Sequence, residues 1–355
     1  MSTKDNIRKL WSDTFGDTPE YLDMYFSDVY REEDAMTATS DDGKLLSSLL
    51  LQRYPFLYQG QETTMGYIAG VMTRRNVRGR GLMSGLLCRA LERSRERGDI
   101  VASLIPLHDW LYFYYDRFGF ATVLYVDPQR FTALHTFTPE ETYLPEEDMR
   151  TEEAYRSFSA FERARGCGVL HTERDYLNIL ADNALDGGRA VAVRDSSGGI
   201  AAMAFAVVDK AGVTVTELMG ISHDAREGAL AELRRQLSGL PFKVLAPPLA
   251  EHRRLYDRGM ARIINAGETL RLCAAANPQW QSLIRVYDPI LADNTAVYAV
   301  ADGDVLVMPY DAALQAPLDF DVNITVLTEI AFSAPRTGDI LRFPSERPVI
   351  SLMLE

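Results

Sequence analysis

Val71-Met72-Thr73-Arg74-Arg75-Asn76-Val77-Arg78-Gly79-Arg80-Gly81-Leu82-Met83-Ser84 is the stretch on which the reading of this chain turns. An apolar, β-like run from Met65 to Thr73 enters it, and a helix-period run from Leu82 to Glu96 leaves it. Between them stand four arginines and two glycines. A strand, a glycine-bearing turn and a helix start form a backbone nest, and the arginines add positive charge. That combination is an anion site suited to a phosphate or pyrophosphate. It points to a coenzyme-binding protein.

The rest of the composition is bland. At 355 residues the chain exceeds one ordinary core, so two or three domains are expected. Apolar residues make up 47% and charged residues 25%, the balance of a soluble globular protein. No apolar run reaches the length that a bilayer requires, so no membrane partner is expected. The opening MSTKDNIRKL carries no apolar signal segment, and the expected location is the cytoplasm. Cys88, Cys167 and Cys273 are scattered, which argues against a disulfide framework or a zinc site. His108, His135, His171, His223 and His252 show no ligand spacing, and no metal is expected. A net charge of -13 disfavours nucleic acid and suits a cationic substrate such as an amine, although it also serves solubility.

Outward from the nest, periodicity organises the chain. Ile7–Phe15 and Pro19–Tyr30 have helical spacing around the break Phe15-Gly16-Asp17. Ala35–Thr39, Lys44–Tyr58 and Thr63–Thr73 read as strands, Leu82–Arg97 as a helix stopped by Gly98, and Ile100–Ile105 as a buried strand. Asp109–Arg117 reads as a helix capped by Asp109, and Phe120–Val126 as a strand. Thr138–Asp148, acidic and holding two prolines, reads as a connection. A second unit repeats this order: helices at Thr151–Ala164 and Glu173–Asp182, a hairpin over Arg189–Val208, a strand at Val213–Met219, a helix at Ala225–Leu237, a strand at Phe242–Leu245 and a short helix at Arg253–Gly259. Its strand-to-helix junction, Glu217 to Asp224, has no arginine-glycine nest. From Pro278 a small α+β unit follows, with a helix expected at Trp280–Ile284 and a hairpin around Ala301-Asp302-Gly303-Asp304.

The spacing Arg78-x-x-Gly81 after a strand and before a helix resembles motif A of the GNAT acetyltransferases, whose backbone amides hold the pyrophosphate of acetyl-CoA. Met83 stands where that motif usually has Gly or Ala. The helix at Asp109 ends in Tyr115-Asp116-Arg117-Phe118-Gly119, which resembles the Tyr-x-Arg-Phe-Gly segment of the Eis ("enhanced intracellular survival") type, a group that tolerates the larger apolar residue. The resemblance implies an α/β (α+β) fold: a catalytic GNAT domain over 1–130, a degenerate second GNAT-like domain over 131–275 and a sterol-carrier-like domain over 276–355. Only the first region matches by motif; the others match by order of elements. It also implies an acetyl-CoA-dependent N-acetyltransferase acting on aminoglycoside, polyamine or lysine-type amines, a homo-oligomer (hexamers occur in the family), and an acetyl-CoA cradle at Val71, Met72, Thr73, Arg78, Gly79, Arg80, Gly81, Leu82, Met83 and Ser84, continued by Trp110 and Leu111. Tyr115 is the implied general acid and the C-terminal carboxylate on Glu355 the implied base. Two alternatives stand beside this reading: an aminoacyl transferase of the tandem-GNAT cell-wall type, and a non-catalytic CoA- or lipid-binding sensor.

The chemistry is consistent with these roles. Deprotonating a lysine-like amine of pKa ~10.4 at pH 7 costs about 4.6 kcal/mol, so a base is needed. A free α-carboxyl, with pKa roughly 3.3 to 3.7, is a poor base unless its surroundings raise it, and the Glu355 side chain is an equal candidate. A phenol near pKa ~10 can protonate a thiolate of pKa about 8.5 with a modest uphill step. Tyr112, Phe113, Tyr114, Tyr115 and Phe118 cannot all be catalytic, and Tyr114 is the nearest competitor to Tyr115. Arg78 and Arg80 are the favoured phosphate contacts, with Arg74 and Arg75 candidates for the 3′-phosphate; Arg89, Arg93, Arg95 and Arg97 read as solvated.

Overall fold

The computed structural model describes residues 2–246 and 255–354. The chain opens with α1 (Thr3–Phe15) and α2 (Pro19–Met24), started by hydroxyl caps: Ser2 accepts from the Asp5 amide and Thr18 from the Tyr21 amide. A π turn over Tyr25–Val29 follows α2. Strands β1 (Ala35–Thr39), β2 (Leu45–Tyr58) and β3 (Gln61–Thr73) form an antiparallel meander. Then come α3 (Leu82–Glu96), β4 (Val101–Leu104), α4 (Asp109–Asp116) and β5 (Ala121–Phe131). The middle of the chain holds β6 (Leu144–Pro145), α5 (Glu152–Arg163), β7 (Gly168–Val169), α6 (Glu173–Leu185), β8 (Arg189–Arg194), β9 (Ile200–Asp209), β10 (Gly212–Gly220), α7 (His223–Gln236) and β11 (Phe242–Ala246). The remainder is β12 (Tyr256–Ile263), α8 (Ala266–Ala276), β13 (Ser282–Tyr287), β14 (Ala296–Ala301), β15 (Asp304–Met308), β16 (Phe320–Asn323), α9 (Ile324–Ala331) and α10 (Pro335–Leu341).

The fold is mixed α/β, with a large mixed sheet and a second, smaller one. The large sheet runs β1-β2-β3-β4-β12-β5-β11-β10-β9-β8-β6, with β7 added to β2. The small sheet runs β15-β14-β13-β16. The long-range element is β12. It is antiparallel to β4 on one side and to the first half of β5 on the other, from Ala261 opposite Ala121 to Tyr256 opposite Val126. The second half of β5, Asp127 to Phe131, pairs with β11 instead. One strand is therefore shared between the two halves of the sheet, and the expected boundary at residue 130 falls at its end.

Two local expectations are corrected here. Trp280–Ile284 is not a helix: Ser282, Ile284 and Val286 are buried while their neighbours in β13 are less so, a period of two. Residues 256–259 are not helical either; they begin β12, whose last residues are buried between two strands, and that pairing overrides a helix-like local composition. Arg253 and Arg254 lie outside the described residues.

Burial follows the alternation of β2 and β3. Leu49, Leu51 and Ile68 pack with Leu86, Leu87, Ala90 and Leu91 of α3. Leu50 and Met72 pack on the other side with Ile7, Trp11, Tyr25 and Phe26. Leu354 is buried in this second cluster. The chain end is thus brought to the cluster that contains Met72. It is tied on the way by a Val349–Gly168 bridge and by Ser351, which bonds to Glu217; Glu217 in turn pairs with Arg165 at 2.9 Å.

Candidate active site

The site grows from the end of β3. Strands β3 and β4 pair in parallel only over Met65–Tyr67 with Val101–Ser103. From Ile68 to Thr73 that edge of β3 has no strand partner among the described residues, which leaves room beside it for an extended ligand. The same stretch carries a bulge: Ser48 faces Met72 and Leu50 faces Ala69, which leaves Gly70 and Val71 opposite Leu49 alone. Gly70 takes φ +55°, and a Cβ on it would lie 2.4 Å from the Trp11 ring. Trp11 is itself anchored by its indole N–H to Asp17 at 2.7 Å. Ser47 donates to the Met72 carbonyl at 2.7 Å and lies 2.8 Å from the Thr73 hydroxyl.

Beyond Thr73 the chain makes one 3-10 turn over Arg75–Val77 and reaches the nest. Gly79 and Gly81 both take left-handed conformations, φ +77° and +79°, and nothing lies within 4 Å of where either Cβ would stand. Backbone conformation, not crowding, therefore requires glycine here. Gly81 is the N-cap of α3 and supplies no side-chain acceptor, and the first turn has no acidic residue. The first N–H groups of a helix have no intrahelical partner, so those of Leu82, Met83 and Ser84 stay available to an anion, aided by the helix dipole. Arg80 is exposed and makes no ion pair among the described residues. Arg78 folds back, its Nε donating to the Thr73 carbonyl at 3.0 Å. Arg74 donates to the Leu45 carbonyl at 2.6 Å, so it braces the strand, while Arg75 is exposed.

Helix α4 completes the arrangement. Its N-cap is His108 rather than the expected Asp109, and His108 gives no side-chain cap. Tyr115 is buried, 4% exposed, in the cluster of Leu86, Phe118 and Phe120, with Val71, Met83, Leu111 and Tyr114 packed against it. The Tyr114 hydroxyl lies 3.3 Å from that of Ser84, in the first turn of α3. The fold thus gathers Val71, Met83, Ser84, Leu111, Tyr114 and Tyr115 from three separate segments. It leaves Trp110 apart, 62% exposed on the outer face of α4. Glu355 lies outside the described residues.

Two of the arginines that read as solvated are bound instead. Arg97 is not solvated: it pairs with Asp34 at 3.5 Å and with buried Asp99 at 3.4 Å, and Arg95 is part-buried against Asn294 and the Ile264 carbonyl. Burial in turn raises the Asp34 carboxyl to about 6, with Arg97 opposing. Gly70 is a further residue that shapes the site, and a glycine inside an apolar strand is a known mark of a bulge. At the corresponding junction of the second half, Ser222 caps α7 by accepting from the Ala225 amide at 3.0 Å, and Asp224 adds negative charge to its first turn. That helix start is satisfied internally and repels anions, where the start of α3 is open.

Residues 2–123 match the family model of the acetyltransferase (GNAT) domain. The first part of this chain carries a GNAT acetyltransferase domain. The chain thus contains an acyl-transfer enzyme domain, and the α3 nest and α4 lie inside it. No protein of curated function matches the chain by sequence. Among solved structures, a probable N-acyltransferase of otherwise unknown function from Enterococcus faecalis V583 is similar at 13% identity and TM-score 0.77, over 98% of this chain and 96% of that one. A GCN5-related N-acetyltransferase from Kribbella flavida is similar at 18% identity and TM-score 0.72, over 99% and 95%. Eis1 from Mycobacterium abscessus is similar at 15% identity and TM-score 0.70, over 96% and 90%. At these identities the likeness is one of fold, and it extends over nearly the whole chain.

Proposed function

We propose that this protein transfers an acetyl group from acetyl-CoA to a primary amine by direct attack in a ternary complex, at one site in its GNAT domain. The observation that carries the reading is the open edge of β3 running straight into an uncapped, glycine-lined helix start. That geometry suits an extended amide-bearing arm ending in a pyrophosphate, which is the shape of a coenzyme A tail. Val71 to Thr73 would pair with the arm, the amides of Gly79 to Ser84 would hold the phosphates, and Arg80 and Arg78 would supply charge. Met83 and Leu111 line the same apolar cluster as Tyr115. Trp110, being exposed, is the weakest member of the set.

Acetyl-CoA supplies the activated thioester. The acceptor nitrogen forms the new C–N bond as the C–S bond breaks, and two protons must move. We assign the proton lost by the ammonium to a carboxylate of Glu355, terminal or side-chain, and the proton given to the departing sulfur to the Tyr115 hydroxyl, which recovers it from the nitrogen as the amide forms. Burial of Leu354 in the cluster that also holds Met72 and the residues of α1 supports delivery of the chain end to this domain. The capped, acidic start of α7 supports reading residues 131–275 as a second GNAT-like unit without a coenzyme site, and the small sheet supports a separate C-terminal unit of the sterol-carrier type.

The test is free-thiol release during incubation with acetyl-CoA and a panel of polyamines, aminoglycosides and lysine peptides. Amine-dependent release on at least one acceptor is expected. Coenzyme A binding with no release on any amine would defeat the enzymatic reading in favour of a sensor.

A further inference from the structure

A buried ion pair outside the proposed coenzyme site reaches the turn that carries Tyr115. Arg262, on β12, is fully buried, and its partner Asp288, in the loop after β13, is 3% exposed. One guanidinium nitrogen of Arg262 contacts both Asp288 oxygens, at 2.7 and 2.8 Å. Its Nη1 donates to the Ile263 carbonyl at 3.0 Å. Its Nε donates to the Phe118 carbonyl at 2.7 Å, at the end of α4 and three residues past Tyr115. Gly119 closes the turn with φ +82°, and a Cβ there would stand 2.9 Å from Arg262 Nε and 2.9 Å from Ile324 of α9. Asp288 also accepts from the amides of Ile290 and Leu291 and from the Asn294 side chain, and Leu291 lies in the cluster that holds Tyr115.

A buried charge pair is an expensive way to stabilise a fold, since apolar residues of similar size often do as well. What it offers is direction: the planar fork of arginine fixes several acceptors in one geometry. Here those acceptors belong to three parts of the chain that meet behind α4. We propose that Arg262 and Asp288 are positioning residues that hold the C-terminal turn of α4, and with it the Tyr115 side chain, in the orientation needed for proton delivery. The C-terminal third of the chain is then a working part of the acid side of the site. The proposal rests on Tyr115 being the acid.

The test uses the full-length chain with two changes together, Arg262→Met and Asp288→Asn. This removes the Nε donor without stranding a charge, and the new amide oxygen can still accept from Ile290 and Leu291. With an amine that the wild type acetylates, kcat is expected to fall about tenfold or more while KM for acetyl-CoA stays within about twofold. A second readout does not depend on turnover: in protein labelled with 3-fluorotyrosine, the fluorine resonance that Tyr115→Phe removes is expected to shift or broaden in the double variant, while most other tyrosine resonances hold. If the double variant gives no cooperative melt, Arg262→Lys, which keeps the charge but replaces the Nε–H and its fork with a single ammonium at the tip, takes both measurements in its place. An unmoved Tyr115 resonance overturns the proposal, whatever happens to kcat. So does a loss spread equally over kcat, KM and melting temperature in whichever variant folds. If the wild type acetylates no amine, the functional reading fails by itself, and the fluorine spectrum still decides whether the clamp orients Tyr115.

Discussion

Tyr115 and Tyr114 illustrate how two adjacent side chains on one helix divide. Tyr115 points into the cluster beneath α3, whereas Tyr114 is part-buried with its hydroxyl at Ser84. Tyr115→Phe is expected to lower the acetylation rate by about tenfold to a hundredfold with coenzyme A affinity retained, the loss typical for a general acid. Calorimetric binding beside steady-state kinetics separates the two effects. Normal turnover by Tyr115→Phe with a defect in Tyr114→Phe would move the role by one residue. A second residue-scale prediction concerns Asp182 on α6. Burial raises its carboxyl to about 6, and Asp186 and Asp17 add to the shift. Between about pH 4 and 6 the folded chain holds a proton that the unfolded chain releases, so this group makes stability fall as pH rises through that window and adds no slope above it. Asp182→Asn should therefore melt higher than the wild type at pH 7, by up to about 2 kcal/mol, and equal it near pH 4. Equal melts at both pH values would refute the shift.

At the scale of elements, the nest and the bulge before it make separable predictions. Arg80→Glu places a like charge against the coenzyme phosphates and should raise the dissociation constant for acetyl-CoA about tenfold or more, with the melting temperature little changed because the side chain is exposed. Full retained affinity, measured by calorimetry, would remove the phosphate role of the nest. Gly70→Ala instead drives a methyl into Trp11, so affinity and stability should fall together. These elements were largely legible in the chain. Thr3–Phe15 from Ile7 onward, Ala35–Thr39, Leu82–Glu96 and the β8–β9 hairpin follow from apolar period, turn residues and glycine stops, all of which act within a few residues. The misread segments are those whose neighbours lie far away. Residues 256–259 are strand because β5 pairs with them, and Arg97 is structural because Asp34 and Asp99 fold onto it. Local composition carries no record of either partner.

At the scale of the molecule, the shared sheet couples the parts. Residues 1–130 end with β5, yet the strand that separates β4 from β5 comes from residues 256–263. A fragment of residues 1–130 would expose both strand edges and the face that α9 covers. It is expected to aggregate, or to show no cooperative melt, when purified alone. A soluble fragment with native-like melting would show that β12 is dispensable.

Near neighbours along the chain suffice to make a strand, a two-glycine nest and a helix follow one another at Met65–Glu96, because φ and hydrophobic period are set locally. They also place an aromatic helix shortly downstream. Long-range packing, by contrast, sets that β3 keeps an open edge beside that nest, that Tyr115 rather than Trp110 turns inward, and that Arg262 and Asp288 from later in the chain grip the end of α4. Those outcomes depend on which distant strand fills the gap between β4 and β5, and on which charges are buried with it.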